Sequence, residues 1–231
     1  MPAVTDADIL NYALTLEHLE NTFYRDGLKK FTSDDFIKAG FSADVYNNIK
    51  IMSKDEQTHV TFLTSALKAA GAQPVAECVY NFGVTDPKIF LAIASVLEGV
   101  GVSAYLGAAA DIMSKNYLTA AGSILTVEAS HSSYIRTAIG KIPFPSPFDV
   151  PLSLNEVYTL AAPFIVSCPS SNVKLSLKAF PSLKLDPEIS ANITAGTTIT
   201  LLTPDYSLKA ADGSSPIFAA FITVTGPIFA P

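Results

Sequence analysis

The sequence predicts a mainly α protein, with a four-helix bundle, a short fifth helix and a small C-terminal β-sheet region. Proline is the first indication: three of the 15 prolines precede residue 143 and twelve lie from Pro143 onward, so long helices are possible only in the first part. The second is a change, from residue 170, to apolar residues with a period of two, which is typical of strands. We therefore expect a bundle over residues 1–142, a proline-rich linker and short helix over 143–169, and a β-rich region over 170–231.

The first two long helices are predicted at about residues 5–31 and 42–70. Apolar residues recur at helical spacing in the first helix. Asp6 and Asp8 suit its first turn, because the N-terminal end of a helix carries a partial positive charge. Gly71 indicates the end of the second helix, since glycine readily adopts the backbone conformation that terminates helices.

The next two long helices are predicted at about residues 85–115 and 118–139, and the short fifth helix at about 153–166. Asp86 can cap the third helix, and Pro87 is favoured in a first turn. A glycine directly after the fourth helix indicates its end.

The apolar run over residues 89–112 is long enough to cross a membrane, which takes about 20 residues. No membrane span is predicted from it, because Glu98 lies in its middle, three glycines weaken packing against lipid and no flanking charge asymmetry marks an orientation. A helix that is apolar on all sides is equally expected at the centre of a bundle.

The C-terminal strands are predicted at residues 173–179, 193–203 and 217–225. So few strands rarely hold together alone. We therefore expect the β-rich region to dock on the bundle.

The composition limits the function. The chain has 231 residues, of which 49% are hydrophobic and only 16% are charged, and its net charge is -6. Globular proteins average about 25% charged residues, so many positions are expected to be buried. The sequence is acidic overall and contains no cluster of lysine and arginine, so nucleic-acid binding is not predicted.

Glutamate and histidine follow a repeated pattern inside the four long helices. The second and fourth helices each contain a glutamate followed three residues later by a histidine, a spacing that returns both side chains to nearly the same helix face. The first and third helices each contain a glutamate that follows a leucine and has a tyrosine seven residues after it. The six residues are Glu17, Glu56, His59, Glu98, Glu128 and His131. Their order is that of the ligands in di-iron and di-manganese ferritin-like bundles.

This pattern has a physical reason. Two divalent ions bring a charge of about +4 into a core of low dielectric constant, and four glutamates neutralise it while bridging the pair. Two neutral imidazoles leave coordination positions open for water, dioxygen or peroxide. Such ligands suit iron or manganese best, with zinc able to replace either. Glu98 is the most informative member, because an unpaired carboxylate in its apolar stretch would be costly.

Four further residues have two interpretations each. Glu20, one turn after Glu17, either faces the site as an extra ligand or proton acceptor or lies on a solvated face. Asp55 either holds the second nitrogen of His131 or is a surface aspartate. Tyr24 and Tyr105 either line the site, where they and Glu20 would be catalytic, or pack as ordinary core aromatics.

The two cysteines, Cys78 and Cys168, are too few for a disulfide scaffold or a cysteine zinc site. Both lie in loop-like contexts just after helical stretches. A single disulfide between them is favoured, with two free buried thiols as the alternative.

Three segments resemble a known family. They are LEHLENTFY at 16–24, LEGVGVSAYLG at 97–107 and FIVSCPS at 164–170. The sequence resembles the fungal stress-response and late-sexual-development proteins of the ferritin-like group, which includes plant desiccation-related proteins. The resemblance covers nearly the whole chain and implies a ferritin-like bundle with a di-metal site, usually in a secreted protein. No signal peptide is predicted at the N-terminus, where its removal and replacement by an initiator Met would leave this sequence. An intracellular location is the alternative to secretion.

Two functions compete. The first is a di-metal oxidoreductase, an oxygenase or a catalase-like or peroxidase-like enzyme, that acts on dioxygen or peroxide with an apolar small molecule as a further candidate substrate. The second is a non-catalytic stress or development protein with structural or sequestered metal. The added β region and the lack of any sign of cage assembly favour a monomer or small oligomer over mineral storage.

Overall fold

The computed structural model describes residues 4–189, 193–194, 196–203, 205–210, 212–225 and 227–230. The chain forms two compact units, Met1–Ala179 and Phe180–Pro231. Among the described residues, the first unit contains the helices and one small strand ladder, and the second contains two short strand ladders.

The predicted four-helix bundle is confirmed. Its long helices are α1 (Asp6–Lys30), α3 (Ala43–Ala69), α4 (Pro87–Ala108) and α5 (Lys115–Ala138), and a short helix, α2 (Ser33–Lys38), was not predicted. The most extensive packing is between α1 and α3 and between α4 and α5, so the bundle consists of two helix pairs.

Side-chain caps fix where the helices begin. At α1, Thr5 and Asp8 form a reciprocal capping box, and at α4 the Asp86 carboxylate accepts bonds from the first-turn backbone. The helix predicted to run to residue 115 ends earlier, in a 3-10 turn over Ala109–Asp111. Asp6 accepts hydrogen bonds from the amides of Met113 and Ser114, at 2.8 and 3.0 Å, which holds the turn before α5 against the start of α1.

The short fifth helix is also confirmed, but it ends before the predicted limit of residue 166. α6 (Leu154–Ala161) leads into a 3-10 turn, Ala162–Phe164, and then into strand β2 (Ile165–Ser167), which pairs antiparallel with β1 (Val79–Tyr80). Pro163 has no amide hydrogen for a helical bond, which accounts for the early end of the helix. Next to this ladder, Cys78 and Cys168 form the predicted disulfide.

A close approach fixes the segment before α6 on α4. A Cβ atom at Gly107 would lie 1.9 Å from the carbonyl oxygen of Leu152, so only glycine fits there. The Leu152 amide donates to the carbonyl of Ser103, at 3.2 Å. The segment after the proline-rich linker is thereby held along the bundle.

The end of the bundle near α2 has an aromatic core. Phe23 and Phe90 stack with ring centroids 4.6 Å apart, and Tyr24, Phe31 and Phe36 meet the Phe90 ring edge to face. These rings join α1, α2 and α4 and bury a large apolar area.

The predicted strand over residues 173–179 is wrong. Leu175 and Leu177 instead pack against the helical core, and the Lys178 amide donates to the Asn155 side chain at 2.9 Å. An extended segment laid on helices also buries every second residue, so its apolar period of two does not require a neighbouring strand.

In its described ranges, the second unit contains two antiparallel ladders. β3 (Lys184–Leu185) pairs with β4 (Leu201–Leu202), and β5 (Ala219–Phe221) pairs with β6 (Ile228–Ala230). β4 and β5 lie within the strands predicted at 193–203 and 217–225; within the first of these ranges, Ala195 lies outside the described residues.

The segment Pro87–Asp111 is long and apolar enough to cross a membrane, with a mean hydropathy of 1.9. Half of its most apolar stretch is buried inside the protein, as in the core helix of a bundle. Glu98 lies within this stretch, so length and composition are weak grounds for a membrane span.

Candidate metal centre

Four helices direct acidic side chains toward one region of the bundle core. α1 and α4 each contribute a glutamate, and α3 and α5 each contribute a glutamate and, three residues later, a histidine. The glutamates are 0% exposed and the histidines at most 8% exposed. They are Glu17, Glu56, His59, Glu98, Glu128 and His131. The structure therefore brings together all six residues of the predicted ligand set.

The donor atoms of these residues form two overlapping groups. Within each group, one donor atom per residue lies within 4.8 Å of every other donor atom, so each group could hold a divalent metal ion. The groups are Glu17, Glu56, His59 and Glu128, and Glu56, Glu98, Glu128 and His131. Glu56 and Glu128 belong to both groups, and each has two carboxylate oxygens with which to serve both.

The histidines turn their Nδ1 atoms toward the carboxylates. His59 Nδ1 lies 3.1 Å from Glu17 Oε2 and 3.3 Å from Glu56 Oε2. His131 Nδ1 lies 3.0 Å from Glu56 Oε1. On the opposite edge of that ring, His131 Nε2 lies 3.3 Å from Asp55 Oδ2, as in the first of the two interpretations of Asp55. A carboxylate in this position fixes the orientation of a metal-binding imidazole.

Several donor atoms at the centre are buried without a well-aligned hydrogen bond to any described residue, although some lie within 3.0 to 3.4 Å of one another. They are Glu56 Oε1, Glu98 Oε2, both carboxylate oxygens of Glu128, and His131 Nδ1. Buried polar atoms without partners are costly and rare, and here they face one another. Carboxylate oxygens and imidazole nitrogens are ligands that iron, manganese and zinc accept, so these residues fit a divalent cation.

The carboxylates carry a strong electrostatic conflict. Burial raises the pKa of Glu17 to about 7, and the charge of Glu56 adds to this effect, against the hydrogen bond from His59. Burial and the charges of Glu56 and Glu98 raise the pKa of Glu128 well above its ordinary value. So many acids in one core cannot all ionise without a compensating positive charge.

The histidines partly supply that charge. Burial alone would lower the pKa of His59, but its contacts with Glu128, Glu17 and Glu56 raise it to about 12. Burial likewise would lower the pKa of His131, but its contacts with Glu56 and Glu98 raise that pKa to about 11. A bound cation would take over this neutralising role and leave both imidazoles neutral.

Two tyrosines hydrogen-bond to the centre. Tyr24 of α1 donates its hydroxyl to Glu98 Oε1 of α4, and Tyr105 of α4 donates to Glu17 Oε1 of α1, at 2.5 Å. The two tyrosines therefore line the centre rather than only packing, and each bond crosses between the two helix pairs.

Glu20 is buried, with an exposure of 4%, so the alternative of a solvated face is wrong. The carboxylates of Glu20 and Glu128 both lie next to Gly101. A Cβ atom at that glycine would lie 2.6 Å from Glu128 Oε2 and 3.1 Å from Glu20 Oε1. Burial, followed by the charges of Glu128 and the other glutamates, raises the pKa of Glu20 well above its ordinary value. Glu20 belongs to neither donor group, although it lies beside Glu128, which belongs to both.

Gly101 was missed by the sequence analysis, although it makes room for two carboxylates. A glycine in an apolar helix is the available sequence signal, but Gly99 and Gly101 share that signal and only Gly101 is crowded. Which of them borders the centre depends on the position of α5, which local sequence does not give.

The comparisons with known proteins agree with this geometry. The family model described as a ferritin-like domain matches residues 5–141. The chain is 29% identical over 193 residues to Protein rds1 of Schizosaccharomyces pombe (strain 972 / ATCC 24843), an alignment that covers 83% of this chain and 47% of that protein. The chain thus spans about half the length of the curated relative it matches. The predicted relationship to a fungal ferritin-like family is confirmed by both findings.

Proposed function

The chain belongs to the ferritin-like domain family, and from this membership we propose that its core centre binds two iron or manganese ions and acts as an oxidoreductase on dioxygen or peroxide. The observation that carries the proposal is the sharing of Glu56 and Glu128 by both donor groups. Shared carboxylates suit two neighbouring ions, because they neutralise both at once.

The charge balance supports two ions. Four ionised glutamates contribute about -4, which two divalent cations would cancel while the histidines stay neutral. With one cation, a net negative charge would remain in the core, and acids such as Glu128 would still need protons. When bound, the ions would supply redox equivalents and coordination positions for the oxidant.

The chain's own residues have definable tasks in this proposal. Glu20, beside the centre and outside both donor groups, accepts and returns protons. Tyr24 and Tyr105 hold one oxygen each of Glu98 and Glu17 and so fix those carboxylates. Asp55 orients the ring of His131 from its far side.

Metal analysis combined with turnover measurements tests the proposal. Protein loaded with iron or manganese is expected to retain about two ions per chain and to consume dioxygen or peroxide. Glu128→Gln should lose metal and turnover, whereas Glu188→Gln, the same change at an exposed position, should lose neither. Protein that binds neither metal and keeps full stability would overturn the proposal.

The complete burial of the four glutamates favours a second candidate, a non-catalytic stress or development protein with structural or sequestered metal. In that case, the double substitution Glu98→Ala with Glu128→Ala should lower thermal stability in a protein that has no turnover to lose. Turnover by the metal-loaded wild type would exclude this candidate.

We also propose that the protein is secreted. The disulfide between Cys78 and Cys168 is compatible with an extracellular location, because disulfides persist in oxidising compartments. Fractionation of the source cells, with antibodies against the native protein, should find it in the medium or cell wall. Recovery from the cytosol alone would contradict secretion.

A further inference from the structure

A small apolar cavity lies beside the candidate metal centre, among α1, α3, α4 and α5. Its volume is about 20 Å³, and its wall consists of alanine, leucine, isoleucine, phenylalanine and tyrosine side chains. Tyr105 and Leu16 belong to this wall. Because the Tyr105 hydroxyl donates to Glu17, one side chain both borders the cavity and contacts the centre.

The cavity wall also reaches the protein surface. Phe62, on α3, is 45% exposed, and Ala120 and Ala121, on α5, are half-buried. Tyr105, in contrast, is 7% exposed. The same wall therefore joins a solvent-facing part of the bundle to a residue that touches the candidate ligands.

The size and polarity of the cavity select the molecule that it can hold. A cavity needs about 10–15 Å³ to hold one water, and one of about 150 Å³ holds benzene, so this cavity suits a guest of about two heavy atoms. Apolar cavities stay dry, because water would lose its hydrogen bonds there. Hydrogen peroxide has two hydroxyl groups and would suffer the same loss, whereas dioxygen has no hydroxyl group.

Tyr12 supplies an independent observation. It belongs to the cavity wall, is 3% exposed, and its buried hydroxyl has no hydrogen-bond partner among the described residues. A buried hydroxyl without a partner destabilises a protein, and it can donate one bond to a guest. Dioxygen can accept one such bond without needing any, whereas a peroxide would need more partners than one hydroxyl offers.

We propose that this cavity is the access route and holding site for dioxygen on the Tyr105 side of the centre. The inference rests on the proposed function, since it selects one of the two oxidants named there. It assigns Tyr12 and the cavity alanines a role in admitting the oxidant, apart from the residues that would hold the metals.

Xenon binding tests the cavity without requiring metal or turnover, because xenon is an apolar probe that occupies small apolar cavities. Crystals of the wild-type protein under xenon pressure should show xenon between Tyr12 and Tyr105. A wild-type protein that binds neither xenon nor, in crystals under oxygen pressure, dioxygen at this position would overturn the proposal.

A variant in which the cavity is filled by a larger side chain tests whether dioxygen reaches the centre through it. Ala108 is a buried wall residue on α4, and Ala108→Val would place two additional methyl groups in the cavity. We expect this variant to lose the xenon site, to keep its metal content and to raise the KM for dioxygen about tenfold. Ala92→Val is the matched control, since Ala92 is exposed on the same helix and outside the cavity wall.

The outcomes separate this inference from the proposed function. Consumption of peroxide but not of dioxygen by the wild type would overturn the dioxygen route and leave the oxidoreductase standing. Consumption of neither by metal-loaded protein would overturn both. Turnover of dioxygen with an unchanged KM in an Ala108→Val protein that has lost its xenon site would overturn the route alone.

Discussion

The hydroxyl of Tyr105 donates a hydrogen bond to Glu17 Oε1 across 2.5 Å, and so ties α4 to a candidate metal ligand of α1. The bond stabilises the ionised form of Glu17 and lowers the pKa that burial has raised. In the opposite direction, the hydroxyl of Tyr24 on α1 donates a hydrogen bond to Glu98 on α4. Each helix therefore holds the glutamate of the other.

The first prediction concerns this bond. In metal-free protein, Tyr105→Phe should raise the pKa of Glu17 above its value of about 7, because the carboxylate loses a donor while its burial remains. The carboxyl carbon of Glu17, followed by NMR through a pH titration, would report the change. Tyr117→Phe is the control, since Tyr117 is half-buried at the cavity wall. An unchanged titration of Glu17 in Tyr105→Phe would contradict the prediction.

The second prediction concerns pH. Burial raises the pKa of Glu17 from 4.5 to about 7, so the folded metal-free protein favours the protonated form and loses stability as pH rises between these values. Burial alone would lower the pKa of His59, but its contacts with glutamates raise that pKa to about 12. The protonated imidazole therefore contributes stability that is fully present below pH 6.5 and is lost as pH rises through 12. The free energy of unfolding of metal-free protein should therefore fall as pH rises from 4.5 to 7.

Metal should reverse this dependence, because ions bind deprotonated carboxylates and neutral imidazoles. Denaturant unfolding of metal-free and manganese-loaded protein, compared across the same pH range, measures both effects. Equal pH dependence with and without manganese would contradict the assignment of these acids as ligands.

The third prediction uses two glycines of one helix. Gly101→Ala would place a methyl group 2.6 Å from Glu128 Oε2 and should weaken metal binding about tenfold by displacing that carboxylate. At Gly99 an added Cβ would have no heavy atom within 4 Å apart from its chain neighbours and the backbone of its own helix, so Gly99→Ala should keep metal binding and gain up to about 1 kcal/mol of helix stability. Calorimetric titration of metal-free protein with manganese measures both. Equal affinities in the two variants would contradict the crowding at Gly101.

The fourth prediction separates shared from unshared glutamates. Glu128 belongs to both donor groups and Glu17 to one, so Glu128→Gln should abolish binding of both ions, whereas Glu17→Gln should leave about one ion per chain. Elemental analysis after dialysis gives the stoichiometry. Equal losses in the two variants would argue against two overlapping sites.

The fifth prediction concerns the disulfide. Cys78 and Cys168 are separated by 90 residues, and a crosslink over such a length should stabilise the fold by about 4.5 kcal/mol, mainly by restricting the unfolded chain. The double variant Cys78→Ser, Cys168→Ser should unfold at a lower guanidinium concentration than the wild type. Adding a reductant should lower the midpoint of the wild type and leave that of the variant unchanged. A reductant effect on the variant would show that another process is being measured.

The grouping of the six glutamates and histidines in the bundle core could be predicted from the sequence because its information is local. A glutamate and a histidine three residues apart share a helix face in any helix, so Glu56 with His59 and Glu128 with His131 needed no tertiary knowledge. Glu98 was equally clear, since an apolar helix makes a single carboxylate conspicuous. The start of α4 followed from its capping residue, Asp86, for the same reason, whereas the ends of α4 and α6 did not.

The features that the sequence did not predict depend on which residues of other elements pack against them. Glu20 could not be assigned because its burial depends on Glu128 of another helix. Residues 173–179 were predicted as a strand because alternating apolar and polar residues indicate a half-buried extended chain. Only the packing of Leu175 shows that helices, and not a neighbouring strand, cover this segment. The cavity at Tyr12 has no sequence signal, since it arises from gaps between four helices.

The two tyrosines that mirror each other have unlike surroundings. Tyr24 lies against the rings of Phe23 and Phe90, at 5.3 and 6.0 Å between centroids, whereas Tyr105 borders the cavity. The apolar shell around a metal controls its solvent access and local dielectric constant. Metal held at the Glu98 end of the centre would therefore meet a different solvent access and dielectric constant from metal held at the Glu17 end, so the two positions would not be chemically equivalent.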